Sequence, residues 1–264
     1  MNLDELPGLE LGQRTVAFDD RTTILYALCA GATNDELDLV WEQQQLRPLP
    51  ALATSLGLWA VEAAGDLGAY DRRKSLHVGQ RLRTLQPMPP SGEIDMSARI
   101  ESAIDKGRAA IVEIAVTSPY FELGYTIFLP GYGGFGGDPG VSAAPAAAFE
   151  PTSSASVPTD ERLALFYRLT GDRHPVHVDP VTAADNGFER PILHGLCTLA
   201  IASHAVARLV GAHPADLTTL DARFAAPVTP GDVLDVRATG DAKSARFDVL
   251  VGDRVVLKDG TAAF

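Results

Sequence analysis

Cysteine is nearly absent: Cys29 and Cys197 are the only two in 264 residues, too few for a disulfide framework and suited to a reducing compartment. Neither stands beside an activating base in sequence, so both read as small buried apolar side chains rather than nucleophiles. Long hydrophobic runs are missing too, which argues against a membrane span. The opening MNLDELPGLELGQRT is acidic and has neither a basic leader region nor an apolar core, so a secretory signal is not expected. Positive charge is scarce: 22 basic against 34 acidic side chains leave a formal net charge of −12, with no basic stripe carrying interleaved aromatics. That balance repels a polyanionic backbone and disfavours nucleic acid as a partner, while a small anionic ligand can still find a local patch of opposite sign. There is no G-x-S-x-G nucleophile elbow and no convincing dinucleotide fingerprint. Glycines 131, 133, 134, 136 and 137 cluster, but no helix follows them, so a flexible crossover is the better reading than a phosphate loop.

What is present is a hydrophobic fraction of 46%, enough for one large domain or two modest ones. After a lead-in with a short strand, Asp19 or Asp20 caps a short helix running to Ala32. Residues 50–64 then read as a helix buried on most of its circumference, opened by Pro50 and closed by Gly65. Gly57 inside it disfavours an exposed helix by about 1 kcal/mol relative to alanine and marks close packing on a strand. Strand-like alternation follows at 76–86, 93–104, 109–118 and 121–129, as an antiparallel meander. Residues 130–158 are rich in Gly, Pro, Ala and Ser and read as a linker.

The second half repeats the plan. A short helix at 159–170 precedes a polar stretch, and 195–210 supplies a long apolar helix. Strands are expected at 219–226, 232–239, 244–251 and 254–258, with Gly231-Asp232, Gly240-Asp241 and Asp259-Gly260 as punctuation. Helix then sheet, twice, suggests an internal duplication of shape.

The polar stretch carries the chemistry. Asp172 and His177 flank Pro175, so a bent backbone lets both side chains face one pocket and share a water, the requirement of general acid–base catalysis. The bland alternative is that Asp172 caps a helix near Pro175 and His177 is a surface residue. His194-Gly195 opens the long helix, where free N–H groups are donors to a polarised oxygen and glycine lets a ligand approach; an ordinary helix start is the alternative. His174, His177 and His194 lack metal-ligand spacing, and no metal is expected. His77, His204 and His213 read as structural or exposed.

The segment LTGDRHPVHVDPVTAADNGFERPILHGLCTLA resembles the signature of the MaoC-like or type 2 enoyl-CoA hydratases: a serine or threonine, Gly-Asp, any residue, Asn-Pro, an aliphatic residue and His. The resemblance extends to YALCAGA with NDELDLVWE, LHVGQRLRTLQPMPPSGE, IFLPGYGGFGG and RFAAPVTPGDVLDV, covering nearly the whole chain. It implies an α+β double hot-dog fold, two repeats of a curved antiparallel sheet around a central helix: residues 1–130 as the non-catalytic repeat, 131–158 as the crossover and 159–264 as the catalytic repeat. It implies that Asp172 and His177 are the catalytic dyad and that the Gly195 N–H polarises a thioester carbonyl, with His174 and His194 at the oxyanion and substrate side. The implied reaction is reversible hydration of trans-2-enoyl-CoA to (3R)-3-hydroxyacyl-CoA without a cofactor, the acyl-CoA thioester being the partner, in a homodimer. His174 departs from the pattern, which has asparagine there. A hot-dog thioesterase and a non-catalytic acyl-CoA-binding subunit are the competing readings. The chain ends TAAF rather than in a peroxisomal address, so a cytoplasmic location is expected.

Overall fold

The computed structural model describes residues 1–141 and 149–264. Ten strands form one antiparallel sheet in the order β1-β3-β4-β5-β2-β7-β10-β9-β8-β6. In the first half these are β1 (Glu10–Phe18), β2 (Leu76–Thr84), β3 (Gly92–Asp105), β4 (Ala109–Thr117) and β5 (Phe121–Pro130). The second half contributes β6 (Ser153–Pro158), β7 (Thr219–Phe224), β8 (Val233–Gly240), β9 (Ser244–Val251) and β10 (Arg254–Ala263). Read outward from the seam, the second half runs 7-10-9-8-6 where the first runs 2-5-4-3-1. The two halves are thus related by a pseudo-twofold axis through the β2–β7 pairing, which spans Gly79↔Arg223 to Arg83↔Thr219.

The helices are α1 (Asp20–Cys29), α2 (Leu37–Val40), α3 (Ala53–Leu56), α4 (Trp59–Asp66), α5 (Leu163–Tyr167), α6 (Pro180–Asp185) and α7 (Gly195–Val210). Asp19 caps α1, its carboxylate accepting from the Thr22 N–H at 2.9 Å. The central helix of the second half is α7. Every residue from Leu196 to Ala207 is buried, and Gly211 at φ 77° ends the helix in the left-handed conformation that glycine adopts without strain. This is the double hot-dog arrangement, one repeat wrapped on α7 and the other on the helical segment 50–66. No helix among the described residues is long and apolar enough to cross a membrane.

Three expectations need correction. The helix read over 50–64 is broken: a 3-10 turn at Pro50–Leu52 leads into α3, and α4 restarts beyond Gly57. A β-carbon on Gly57 would lie 2.5 Å from Leu123 Cδ1 and 2.8 Å from the Tyr125 hydroxyl, so the glycine does mark close packing on a strand, and the helix gives way there. The stretch read as a linker ends in β6, which closes the far edge of the sheet by pairing Ser153↔Ala238 through Pro158↔Val233. The middle of that stretch, 142–148, lies outside the described residues. Asp259-Gly260 is not a turn but a bulge inside β10, where the register with β7 shifts between Lys258 and Thr261 and Asp259 takes φ 57°. Beyond these, the polar stretch contains α6, capped by Asp179, which alternation and composition did not indicate.

The glycine cluster folds back on the β3–β4 hairpin. The Asp105 carboxylate accepts from the N–H groups of Gly107 and Gly134 at 2.8 Å and of Gly136 at 2.9 Å. Backbone donors that could cradle a phosphate are therefore already satisfied from within. Cys29 and Cys197 are buried and free, and burial pushes the Cys29 thiol up to about 12. As thiols rather than thiolates they are inert packing residues, as their sequence surroundings indicate.

Candidate active site

The residues between α5 and α7 form one wall of a cavity of about 460 Å³. A 3-10 turn at Pro175–His177 positions the dyad: Pro175 supplies its first residue, and His174 supplies the cap by accepting the Val176 N–H on Nδ1 at 3.3 Å. Asp172 Oδ1 accepts the His174 N–H at 3.1 Å, which holds the carboxylate over the turn. Its Oδ2 stands 3.7 Å from His177 Nε2. That gap is too wide for a direct hydrogen bond and suits a bridging water. The His177 Nδ1–H donates to the Ile192 carbonyl at 2.9 Å, so in the neutral ring Nε2 carries the lone pair and faces Asp172. Burial holds His177 below the ordinary histidine pKa, against the opposing pull of the Asp172 carboxylate.

His194 is placed differently from expectation. It is fully buried and is absent from the cavity wall, so it is not a substrate-facing residue. Its ring stacks on that of His177 at 3.7 Å between centroids, 24° from parallel, and its other neighbour is the Tyr167 ring at 4.9 Å. The Nε2–H donates to the Asp172 carbonyl at 3.1 Å. Burial, reinforced by His177, lowers its pKa to about 3. A single neutral imidazole thereby braces one dyad member by its face and the other by its backbone. The sequence offered no signal for this, because the residue just before a helix can point to either side.

His174, by contrast, does line the cavity and is exposed. Its departure from asparagine is explained by the cap: a ring Nδ1 accepts the same backbone N–H that an asparagine oxygen would. The chain does this twice, since His213 ahead of Pro214 accepts the Ala215 N–H at 3.2 Å. Gly195 is exposed on the cavity wall as the first residue of α7, where the N–H has no intrahelical partner. A β-carbon there would touch the Phe224 ring at 3.2 Å, so glycine is what keeps the wall open between helix and β7.

Of the histidines read as structural or exposed, His77 is in the cavity wall. It packs edge-on to Phe224 at 4.9 Å, its Nε2–H donates to its own strand at Gly79 O, and burial lowers its pKa to about 4. His204 contacts Glu36 at 2.9 Å and His213 contacts Asp38 at 3.1 Å, both tying the segment after α1 to the far end of α7. Asp172, His177 and His194 place donor atoms within 4.8 Å of one another. The two rings are stacked, and each has one ring nitrogen hydrogen-bonded to a backbone carbonyl.

Residues 143–260 match the MaoC like domain and residues 16–130 the MFE-2 hydratase 2 N-terminal domain. The chain is 36% identical over 271 residues to 3-hydroxyacyl-thioester dehydratase Y of Mycobacterium tuberculosis, covering 93% of this chain and 92% of that one. The chain belongs to the MaoC-like hydratase family. Another relative is enoyl-CoA hydratase 2, peroxisomal, of Arabidopsis thaliana, 32% identical over 275 residues with 88% and 85% of the two chains covered. The fold of this MaoC-like chain is also that of a MaoC-like dehydratase from Phytophthora capsici, with a TM-score of 0.89 over 100% and 98% of the chains at 23% identity. The cytoplasmic location expected from sequence does not stand: relatives from Arabidopsis thaliana, Neurospora crassa, mouse and Drosophila melanogaster are peroxisomal by name.

Proposed function

We propose that this enzyme adds water reversibly to trans-2-enoyl-CoA thioesters to give (3R)-3-hydroxyacyl-CoA, with Asp172 and His177 as the catalytic pair. It is a hydratase/dehydratase of fatty-acyl CoA substrates, and the finer assignment rests on one observation: the Asp172–His177 pair and the first residue of α7 open onto the same cavity. A water between Oδ2 and Nε2 donates one proton to the carboxylate as its oxygen bonds to C3. The electron pair of the C2–C3 double bond moves toward the thioester carbonyl, whose oxygen gains charge and accepts the Gly195 N–H. The carbonyl re-forms as the dyad returns a proton to C2, so the product gains one water in sum. Leu58, Val61, Leu196 and Phe224 line the same cavity and suit the acyl chain.

No cofactor takes part in this scheme, so exhaustive chelation should leave turnover unchanged; loss of activity restored by a divalent ion would contradict that. The same reading makes the enzyme a homodimer, which light scattering should report as twice the 28.0 kDa chain mass. The deciding experiment follows loss of enoyl-thioester absorbance on short and medium-chain substrates, with chiral analysis of the product. A (3R)-hydroxy product supports the reading. Release of free CoA without hydration would make the protein a thioesterase, and binding without turnover would make it an acyl-CoA carrier.

A further inference from the structure

We infer that Arg72, Arg73 and Lys74 form a phosphate-binding rim at the cavity mouth, recognising the nucleotide phosphates of the CoA portion of the substrate. The inference deepens the hydratase reading and rests on it for the identity of the ligand.

These three residues are the longest basic run in a chain of net charge −12. All three are exposed, and Arg72 and Arg73 line the same cavity as the Asp172–His177 pair, where they are the only guanidinium groups among the described lining residues. The turn that carries them, Arg72–Lys74, is braced. Asp71 caps it, accepting the Arg73 N–H at 3.1 Å, while the Asp71 N–H donates to the Tyr132 hydroxyl at 2.7 Å. The Ser75 hydroxyl donates to the Arg72 carbonyl at 2.7 Å. The stem of Arg72 lies against Gly65 at the end of α4, where a β-carbon would come within 3.1 Å of it. Immediately beyond the turn, Leu76, His77 and Val78 carry the wall into the apolar interior. The cavity is therefore amphiphilic, with exposed guanidinium groups at one side and an apolar interior, matching a ligand whose acyl end enters and whose phosphates remain outside.

The neighbouring carboxylates hold the two guanidinium groups only in surface pairs. Arg72 pairs with Asp66 at 2.7 Å and Arg73 with Asp71 at 3.1 Å, both at the surface. Arg73 is 83% exposed, so its pair is screened and its fork is available for exchange to a phosphate, whose oxygens it matches two at a time. Glu62 and Asp172 are the carboxylates among the described lining residues, one on α4 and one beside His177, so the phosphates must be met by the exposed forks rather than by net charge.

The test compares wild type with Arg72→Gln/Arg73→Gln/Lys74→Gln and with Arg73→Lys. Two readouts are used: the ratio of kcat/KM on crotonyl-CoA to kcat/KM on crotonyl-pantetheine, which lacks the nucleotide, and the calorimetric Kd for free CoA. The triple variant is expected to lower the ratio at least about tenfold and to raise the Kd by a similar factor, as for loss of charge-assisted phosphate contacts, with Arg73→Lys intermediate. An unchanged ratio, or an equal fall on both substrates, would overturn the inference. If the wild type binds CoA but hydrates neither substrate, the hydratase reading fails and the Kd comparison alone decides the rim. Wild type that does not bind CoA at all refutes the rim as well.

Discussion

The ring of His194 lies flat on the ring of His177, 3.7 Å apart and 24° from parallel, while its Nε2–H holds the Asp172 carbonyl. The two residues of the proposed catalytic pair are thus tied through a third that does not line the cavity. Keeping that third ring neutral matters: a charge on it would face His177 directly, and burial opposes the charge.

Acid should therefore weaken the fold through its buried imidazoles. His194 is pushed down to about 3 and His77 to about 4, from an ordinary value of 6.5. Below pH 6.5 the unfolded chain takes up protons that the folded chain refuses. The stability from these groups is present in full above 6.5 and is lost as pH falls through 6.5 toward the folded values, by up to about 1.4 kcal/mol per pH unit for each residue. His194→Phe keeps a stacking ring but removes the titration. Urea midpoints measured at neutral and mildly acidic pH should show a flatter dependence in the variant, together with a loss of about 1–3 kcal/mol at neutral pH from the orphaned Asp172 carbonyl. Parallel pH slopes would refute the argument.

Replacing Asp172 with Asn should leave the fold intact and lower turnover on an enoyl-CoA by at least about 100-fold, the scale of a lost acid–base group. The amide oxygen still accepts the His174 N–H, so the thermal midpoint should hold. Because burial depresses the His177 pKa and the neutral ring is the working form, the acidic limb of wild-type kcat should fall below pH 6.5 rather than at it. Unchanged turnover would sink the dyad, and a limb above 6.5 would sink the protonation state.

Much of this site could be read from the chain because Asp172, His177 and Gly195 lie in one contiguous stretch whose prolines and glycines bend the backbone locally. The twofold plan was equally legible from hydrophobic period. What was hidden depended on the partner surface. Ser153–Pro158 has the composition of a linker and becomes a strand only because β8 offers an unpaired edge. Asp259-Gly260 has turn chemistry, yet β9 and β10 remain paired across it. The helix break at Gly57 is decided by Leu123 and Tyr125, far away in sequence. Arg72–Lys74 lies in the connection between α4 and β2, and nothing local says that it meets the cavity.

The His174 departure should prove nearly silent in one direction. His174→Asn restores the common residue and keeps an acceptor for the Val176 N–H, so activity and stability should stay within a few-fold of wild type. His174→Ala removes the cap, costs about 1 kcal/mol in a chemical denaturation, and lowers kcat/KM as the turn carrying His177 loosens. If alanine and asparagine behave alike, the cap is not what the histidine supplies.

Gly195 allows the proposed oxyanion donor to be deleted without deleting the helix. Proline is tolerated at the first helical position, where the N–H has no intrahelical use, and His194 already has ψ near 132°, the extended value that a residue before proline prefers. Gly195→Pro removes the donor. Gly195→Ala keeps the N–H while adding the same β-carbon against Phe224, 3.2 Å away, and so controls for crowding. If the N–H polarises the thioester, proline should depress kcat about 100-fold or more below alanine, with circular dichroism of the two variants alike. Equal kcat for proline and alanine would mean that the carbonyl is held elsewhere, and that Gly195 serves only to keep the wall between α7 and β7 open.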